Sequence, residues 1–321
     1  MSGKKVLILD STGIDWTDRH LKNENTDVTA IYKKVFFPLG LIRRGFFEFN
    51  LPFKSVWYND WKYYLNQYKM IIIFSAILGN ELFSWIRRSG YKGRLIFYYR
   101  DFVNAEYIRT FAKPESILKT ESSVELWSFD PQDSKRYGMK YNPQFYFRIP
   151  DSSNEVKYDI VFVGSTNGRL EQILRWKHIF ENENFNVYFH IKKHKYEKTP
   201  KKYEIEVTDT LLTYEKIIDL DKASKAIFEI NQTGQTGLTN RALEATFLKK
   251  KLLTTNADIK YTRLYNPHNI YILGEKQQVS IQEFLNSEYD MTDYDNITRY
   301  YDSKSWLARF LNNVGVECSC K

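Results

Sequence analysis

The loop from Gly164 to Arg169 combines residue types that bind phosphate. It reads GSTNGR and lies between a predicted strand and a predicted helix. A helix N-terminus presents free backbone N–H groups, and an arginine adds a guanidinium that suits an anion. Gly164, Ser165, Thr166 and Arg169 are therefore candidate phosphate ligands. The loop lacks the Lys-Ser/Thr pair of a P-loop and the three spaced glycines of a dinucleotide site, so an ordinary turn is the alternative.

Two further pairs of residues are of types that bind metal ions, but they lack the sequence context of a known metal site. Asp219 and Asp221 form an Asp-x-Asp pattern, whose carboxylates can bind Mn²⁺ or Mg²⁺. The pair falls within a predicted helix and does not follow a strand, which favours a solvated helix face. His190 and His194 lack the intervening glutamate of a zinc-protease helix, so we predict surface positions for both. The sequence therefore predicts no metal.

Predicted strands and helices alternate along most of the chain. The predicted strands are 4–10, 70–76, 94–99, 124–129, 158–163, 186–191, 225–230 and 251–255. The predicted helices are 81–89, 133–137, 170–181, 214–223, 238–247 and 303–313. This alternation is typical of parallel sheets joined by crossover helices. We therefore predict an α/β fold of two Rossmann-like, doubly wound domains that face a cleft.

A stretch without periodicity, 141–157, separates the two sets of elements. Its two prolines and two serines are typical of a linker, so we place the domain boundary near residue 150. A chain of 321 residues also suits two domains. The predicted domains are 1–150 and 151–321, and we expect that the helix 303–313 can pack back on the first.

Bulk composition limits the compartment and the partners. No apolar run approaches the ~18 residues that span a bilayer, and the N-terminus lacks an apolar signal segment. We therefore expect a cytoplasmic protein, either soluble or peripheral on the inner face of the cytoplasmic membrane. Residues 1–150 hold 23 Lys and Arg against 15 Asp and Glu, whereas 151–321 hold 24 against 24. This excess favours an anionic partner such as a membrane surface, a lipid pyrophosphate or nucleic acid, with a solvated basic surface as the alternative.

The segment 228–256 is the most specific signal in the sequence. It contains a strand, a glycine-containing loop, a helix with Arg241 and Glu244, and a lysine-rich turn into a further strand. This order resembles the donor site of GT-B glycosyltransferases that build bacterial capsule and lipopolysaccharide oligosaccharides. The resemblance covers the second half of the chain, whereas the first half is similar only in architecture.

The resemblance implies roles for the residues of this segment. In the family the helix N-terminus approaches the donor diphosphate, and the helix glutamate accepts hydrogen bonds from the ribose hydroxyls. By position, Glu244 binds the ribose, and Arg241 neutralises the leaving diphosphate together with Arg169. The other implied donor ligands are Gln235, Thr236, Gly237, Leu238 and Thr239. The resemblance implies no cofactor beyond the nucleotide-sugar substrate. The alternative to a donor site is an ordinary amphipathic helix with an Arg–Glu pair.

The stereochemistry and the catalytic base depend on other carboxylates. Retaining members of the family commonly carry two glutamates eight positions apart, and the position eight before Glu244 is Thr236. This absence favours inversion, which requires a base to deprotonate the acceptor hydroxyl. The candidate bases follow predicted strands of the first domain and are Asp10, Asp15 and Asp101. Each is alternatively a helix cap or a turn residue.

The stretch 32–65 mixes aromatic and aliphatic residues with basic ones. The basic residues are Lys33, Lys34, Arg43, Arg44 and Lys54. Such a mixture suits an interfacial patch that meets anionic lipid or guides a lipid-linked acceptor. A core hairpin with exposed lysines is the alternative.

These features together predict a metal-independent, hexosyltransferase-like enzyme. It would transfer a sugar from a nucleotide-sugar donor to a growing, lipid-linked oligosaccharide of a surface polysaccharide. Two other hypotheses are a non-catalytic protein that binds a nucleotide or sugar, and a nucleic-acid-binding protein. The last fits the basic charge but has no recognisable binding motif, so we expect no nucleic-acid partner.

Overall fold

The computed structural model describes residues 6–10, 20–74, 79–103, 112–150, 155–194, 197–198, 200–313 and 315. By its internal contacts the chain divides into two compact units. The first consists of Met1–Pro143 with Trp306–Cys318, and the second of Gln144–Ser305 with Ser319–Lys321. The division thus falls at Pro143, whereas the sequence analysis places it near residue 150.

The first unit is built on a six-stranded parallel sheet. Its strands are β1 (Val6–Asp10), β2 (Thr26–Ala30), β3 (Met70–Phe74), β4 (Arg94–Tyr99), β5 (Glu125–Ser128) and β6 (Lys140–Tyr141). They lie in the order β2-β1-β3-β4-β5-β6, so the order reverses between β1 and β3. In doubly wound sheets, ligands bind beyond the carboxyl ends of the strands at such a reversal.

The second unit is built on a five-stranded parallel sheet. Its strands are β7 (Tyr158–Ser165), β8 (Val187–Lys192), β9 (Ser224–Glu229), β10 (Lys251–Thr254) and β11 (Ile270–Ile272). Their order is β11-β10-β9-β7-β8, so the reversal lies between β7 and β9. The residues that follow these two strands therefore lie where the fold favours a ligand.

Helices connect the strands in both units. Those of the first unit are α1 (Phe37–Glu48), α2 (Glu81–Arg88), α3 (Pro114–Thr120) and α4 (Pro131–Tyr137). Those of the second are α5 (Leu170–Asn182), α6 (Tyr214–Lys222), α7 (Asn240–Phe247), α8 (Ile281–Asn286) and α9 (Tyr294–Tyr301). A last helix, α10 (Ser303–Leu311), begins in the second unit, and its residues from Trp306 belong to the first.

Continuous apolar runs form the central strands because both faces of a parallel sheet are covered. Every residue of β1 and β3 is buried. The covering helices are amphipathic, and α5 buries Leu170, Ile173 and Leu174 at helical spacing. Each unit consequently has a hydrophobic core of its own.

Most predicted elements are present in the described residues, with ends within two residues of those predicted. The elements that the sequence analysis missed are β2, β6, β11, α1, α3, α8 and α9. The core hairpin considered for 32–65 is wrong, because that segment contains α1 followed by short 3-10 turns. Residues 151–154 of the predicted linker lie outside the described residues.

Glu125 ties together three strands of the first sheet. The Arg94 guanidinium on β4 donates to its two carboxylate oxygens at 2.7 and 2.8 Å, and the Lys140 ammonium on β6 donates at 3.1 Å. Desolvation alone would raise the pKa of Glu125. The hydrogen bonds and charges of Arg94 and Lys140 outweigh it and lower the pKa to about 2.

This depressed pKa predicts an acid-sensitive contribution to stability. The contribution is present above the ordinary glutamate pKa of 4.5 and is lost as the pH falls toward about 2. At pH 7 we expect Glu125→Gln to lower the free energy of unfolding by about 1–2 kcal/mol, after allowance for solvent screening. Urea denaturation at pH 7 and pH 2.5 measures this, and an equal loss at both pH values would contradict it.

Candidate functional site

Arg169 lies at the reversal point of the second sheet. The turn that precedes it contains Asn167 and Gly168, both with left-handed backbones (φ 41° and 75°). From the start of α5 its guanidinium donates to the carbonyl of Ile230, directly after β9, and to that of Ser165, the last residue of β7, at 3.4 Å. The guanidinium therefore bridges the carboxyl ends of the two strands between which the sheet order reverses.

The charge of Arg169 has no carboxylate within 4 Å among the residues that the structure describes. Burial lowers its pKa, and the more distant Glu229 charge opposes that shift. Within the described ranges, the buried Nε of Arg169 and the buried Oδ1 of Asn231 have no hydrogen-bond partner. Because buried polar atoms are normally paired, the guanidinium suits an anionic group of a ligand, and the amide oxygen suits a hydrogen-bond donor of the same ligand.

The other predicted phosphate ligands of the loop 164–169 either belong to β7 or bind another residue of the protein. Gly164 and Ser165 are strand residues of β7, and a Cβ at Gly164 would lie 2.8 Å from the ring of Phe162. The buried Thr166 hydroxyl donates to Glu197 at 2.5 Å, and the Gly168 N–H donates to the same carboxylate oxygen at 3.1 Å. An internal carboxylate therefore occupies the Thr166 hydroxyl and the Gly168 N–H, whereas the Arg169 side chain extends to the reversal point.

Thr239 caps α7 and is committed to protein partners. Its hydroxyl accepts the N–H groups of Arg241 and Ala242 at 3.1 and 3.4 Å and donates to Glu229. The buried Glu229 also accepts from Thr254 at 2.9 Å, and desolvation raises its pKa. The implied phosphate contact of the Thr239 hydroxyl is thus replaced by a contact that ties α7 to β9 and β10.

The loop 231–239 leads from the end of β9 to the start of α7. The N–H of Gln235 donates to the Gln232 carbonyl at 3.0 Å, and the Gln235 carbonyl accepts from Asn231 at 3.2 Å, so the loop is a compact turn. Leu238 is buried and packs in the core, which leaves only its backbone for a ligand. Thr236 and Gly237 are also buried within this loop.

Arg241 and Glu244 belong to a buried network. The guanidinium of Arg241 donates to both oxygens of Asp221 at 2.7 Å and to Glu244 at 2.5 Å. The other oxygen of Glu244 accepts from the Tyr214 hydroxyl, which in turn contacts the Tyr146 hydroxyl. Five side chains from the segment before β7, α6 and α7 are thereby joined.

This network changes the interpretation of Arg241. Asp221 has no exposed surface and Glu244 only 2%, so two buried carboxylates balance the single guanidinium. Desolvation raises the pKa of Glu244, Asp221 adds to that shift, and Arg241 opposes it. Arg241 is therefore neutralised inside the protein, which argues against its implied role at the diphosphate. That role and the ribose contact of Glu244 both stay predictions.

The sequence analysis overlooked several members of this site. Tyr214 and Asp221 lie seven residues apart on α6 and thus on one helix face, a spacing that would have marked them. Asn231 lies two residues after the end of β9, in the region where ligands are sought in an α/β sheet. No pattern in the sequence distinguished Tyr146 from the many other tyrosines.

The Asp-x-Asp pattern lies in α6, as predicted, but its two carboxylates face different environments. Asp219 is exposed, whereas Asp221 is buried and bound to Arg241, so the prediction of a solvated face is wrong for Asp221. His194 is exposed, and Nε2 of the half-buried His190 lies 3.0 Å from the Thr210 carbonyl. Over the described ranges, no three His, Cys, Asp or Glu side chains are grouped to hold a metal ion.

The first unit has its own cluster at the carboxyl ends of β1, β3 and β4. Asp10 ends β1 and is nearly buried, and one oxygen lies 3.5 Å from the Arg100 guanidinium, which stacks over the Phe74 ring. Asp101 keeps exposed surface although protein atoms crowd its carboxyl group. This desolvation raises the pKa of Asp101, Arg100 opposes the shift, and Asp10 adds to it. Asp15, the third predicted base, lies outside the described residues.

Comparison with known proteins identifies the fold. No family model and no curated protein matches the sequence. An alpha-glucosyltransferase in complex with UDP and a 13-mer DNA containing an HMU base aligns over 96% of this chain and 98% of its own, with a TM-score of 0.57 and 13% identity. Anabaena HepE in complex with UDP-glucose aligns over 97% and 100%, with a TM-score of 0.58 and 11% identity.

These alignments extend over both units and agree with the two parallel sheets. The chain therefore has the GT-B fold, an α/β architecture of two Rossmann-like domains, which confirms the predicted fold class. At 11–13% identity the similarity establishes the fold and leaves the reaction to be argued from the residues of this chain.

Proposed function

We propose that the protein is a glycosyltransferase that takes a sugar from a nucleotide-sugar donor. The observation that carries the proposal is Arg169, whose guanidinium bridges the ends of β7 and β9 without a carboxylate partner among the described residues. In a doubly wound sheet this point is where nucleotides bind. The structural neighbours with UDP or UDP-glucose bound support a nucleotide diphosphate as the ligand.

Arg169 supplies the positive charge that the reaction requires at the donor. When the bond between the anomeric carbon and the diphosphate breaks, negative charge grows on the departing phosphate oxygens. A fixed guanidinium stabilises that charge without a metal ion, because it is in place before the reaction begins. Asn231, whose Oδ1 is buried beside the same strand end, is suited to accept a hydrogen bond from the nucleotide.

The acceptor hydroxyl requires a base, and we assign Asp101 to this role. Its raised pKa makes its carboxylate a stronger proton acceptor than an ordinary aspartate, whereas Asp10 lies beside Arg100. Single displacement with such a base inverts the anomeric centre. Arg100 acts as a positioning residue, since it lies between Phe74 and Asp10 and adjoins Asp101 in the chain.

The setting we propose is the synthesis of a bacterial surface polysaccharide of the capsule or lipopolysaccharide type. The acceptor is then a lipid-linked oligosaccharide at the inner face of the cytoplasmic membrane. The sequence motif 228–256 and the basic charge of residues 1–150 support this assignment.

A direct test follows release of the nucleotide. The purified protein is incubated with UDP-, GDP- and dTDP-sugars and a bacterial lipid extract, and the free nucleoside diphosphate and the glycosylated lipid are measured. We expect turnover with one nucleotide class, and a loss of about 10- to 100-fold in donor affinity in Arg169→Gln, because a charge-assisted hydrogen bond is removed. Arg175→Gln is the matched control, since Arg175 is exposed on the same helix.

DNA is a second candidate acceptor. The solved alpha-glucosyltransferase is bound to a DNA that contains an HMU base, and the first half of this chain is basic. The same assay with a duplex that contains hydroxymethylated bases distinguishes the two acceptors. Transfer to that DNA, with binding that weakens steeply as salt rises, would replace the lipid-linked acceptor.

A further inference from the structure

Seven large apolar side chains lie exposed within a short part of the first unit. They are Phe36, Phe37, Leu41, Ile42, Phe49, Leu51 and Phe53, here called the aromatic face. Its four phenylalanines are each at least 66% exposed. An apolar cluster of this kind on a protein surface marks an interaction site.

The helix α1, which carries Phe37, Leu41 and Ile42 of this face, is attached to the first unit by only one side. In α1 no residue is fully buried. Its inner side packs through Phe46 on Trp57, with ring centroids 5.5 Å apart, and through Phe47 on Tyr32 at 5.4 Å. The outer side, with Phe37, Leu41 and Ile42, is therefore held in a fixed orientation toward solvent.

The loop after α1 is fastened by a buried lysine, and its tip is hydrophobic. Asn50 and Phe53 both have left-handed backbones (φ 49° and 62°), which is unfavourable for a bulky aromatic residue. The buried Lys54 fastens the loop, because its ammonium group contacts Asn50 at 2.5 Å and Glu81 at 2.6 Å. These contacts hold Phe53 outward, with 79% of its surface exposed.

Basic residues outnumber acidic ones in the stretch that carries the aromatic face. Apart from the buried Lys54, which pairs with Glu81, the basic residues between 32 and 65 are at least partly exposed, and they are Lys33, Lys34, Arg43, Arg44 and Lys62. Only two acidic residues, Glu48 and Asp60, lie in the same stretch. Aromatic rings favour the boundary between lipid headgroups and acyl chains, and lysine and arginine are attracted to anionic headgroups.

We propose that the aromatic face binds the surface of an anionic membrane, with Phe37 and Phe53 inserted among the headgroups. A second copy of the chain fits less well, because a symmetric contact would oppose the same positive charges to each other. None of the helices in the described part of the chain could span a bilayer. The inference does not depend on the nucleotide site.

The test is cosedimentation of the full-length protein with vesicles. Vesicles of phosphatidylcholine alone are compared with vesicles that contain 30 mol% phosphatidylglycerol (about one lipid in three, enough to give an anionic surface). We expect binding to the anionic vesicles that weakens with added salt. The double substitution Phe37→Ser and Phe53→Ser should reduce the partition coefficient about tenfold or more, because both rings are lost from the interface.

The matched control is Ile205→Ser with Leu211→Ser, which removes two comparably exposed apolar side chains from the second unit. This control should bind vesicles as the unmodified protein does. The proposal is overturned if the unmodified protein does not bind anionic vesicles, or if the phenylalanine variant binds them as well as the control does. It is also overturned if light scattering finds a dimer that the phenylalanine variant cannot form. Stabilisation of both variants by nucleotide, measured separately, distinguishes failure of this inference from failure of the proposed function.

Discussion

Replacing Arg241 by glutamine should destabilise the protein by about 3–5 kcal/mol, because it leaves two buried carboxylates without their cation. Asp221 and Glu244 both depend on this guanidinium, at 2.5 to 2.7 Å. Urea denaturation followed by tryptophan fluorescence measures the change. The loss should be far larger than that of Lys260→Ala, which removes one side of the exposed Lys260–Glu275 pair, because solvent screens such a pair.

A second variant separates charge balance from packing. In the triple variant Asp221→Asn, Arg241→Met, Glu244→Gln, the charges are removed together, so most of the lost stability should return. If Arg241 instead served the donor diphosphate, Arg241→Gln would weaken nucleotide binding and leave stability nearly unchanged. A destabilisation below about 1 kcal/mol would therefore restore the role that the sequence motif implies.

Asp101→Asn should lower kcat by about 10²- to 10⁴-fold, the range typical for removal of a general base. Desolvation disfavours the charged form of Asp101, so replacement by the neutral amide should leave folding unaffected. Kinetics at saturating donor and acceptor measure the effect. Asp60→Asn, at another exposed aspartate of the same unit, is the control and should retain full activity.

The pH profile tests the same assignment independently of the substitution. A base acts only when deprotonated, so kcat/KM should fall as the pH drops through the pKa of Asp101. Because desolvation and Asp10 raise that pKa, the fall should begin above the ordinary aspartate value of 3.8. If the Asp101→Asn variant keeps at least half of the normal activity, Asp101 is not the base, and Asp10 and Asp15 are the remaining candidates.

The fold could be predicted from the sequence because apolar runs such as Val6–Asp10 and Met70–Phe74 are long enough to define central strands. The strand Thr26–Ala30 was missed because it lies at a sheet edge and contains polar residues at a partly exposed surface. The stretch 32–65 was ambiguous because the apolar residues of α1 lie on both its inner and its outer side, which obscures helical periodicity.

The positions of the site residues were more predictable than their partners. Arg169, after a strand and before a helix, was recognised from local order alone. The balance of Arg241 by Asp221 depends on a contact between residues 20 positions apart, and the capture of Thr166 by Glu197 on one 31 positions apart. Local patterns carry no information on such contacts. The sequence analysis therefore interpreted Arg241 as a ligand of the diphosphate, although its guanidinium binds two carboxylates of the protein.

The central claim is that Arg169 at the reversal point of the second sheet binds the diphosphate of a nucleotide. Thermal unfolding of the unmodified protein with UDP, GDP, CDP or dTDP tests it most directly, with Arg169→Gln and Arg175→Gln in parallel. Nucleotide at about 100 times its dissociation constant should add about 2.7 kcal/mol of apparent stability. We predict this gain for one nucleotide with the unmodified protein and Arg175→Gln, and a much smaller gain with Arg169→Gln. Equal stabilisation of all three proteins, or of none, would contradict the claim.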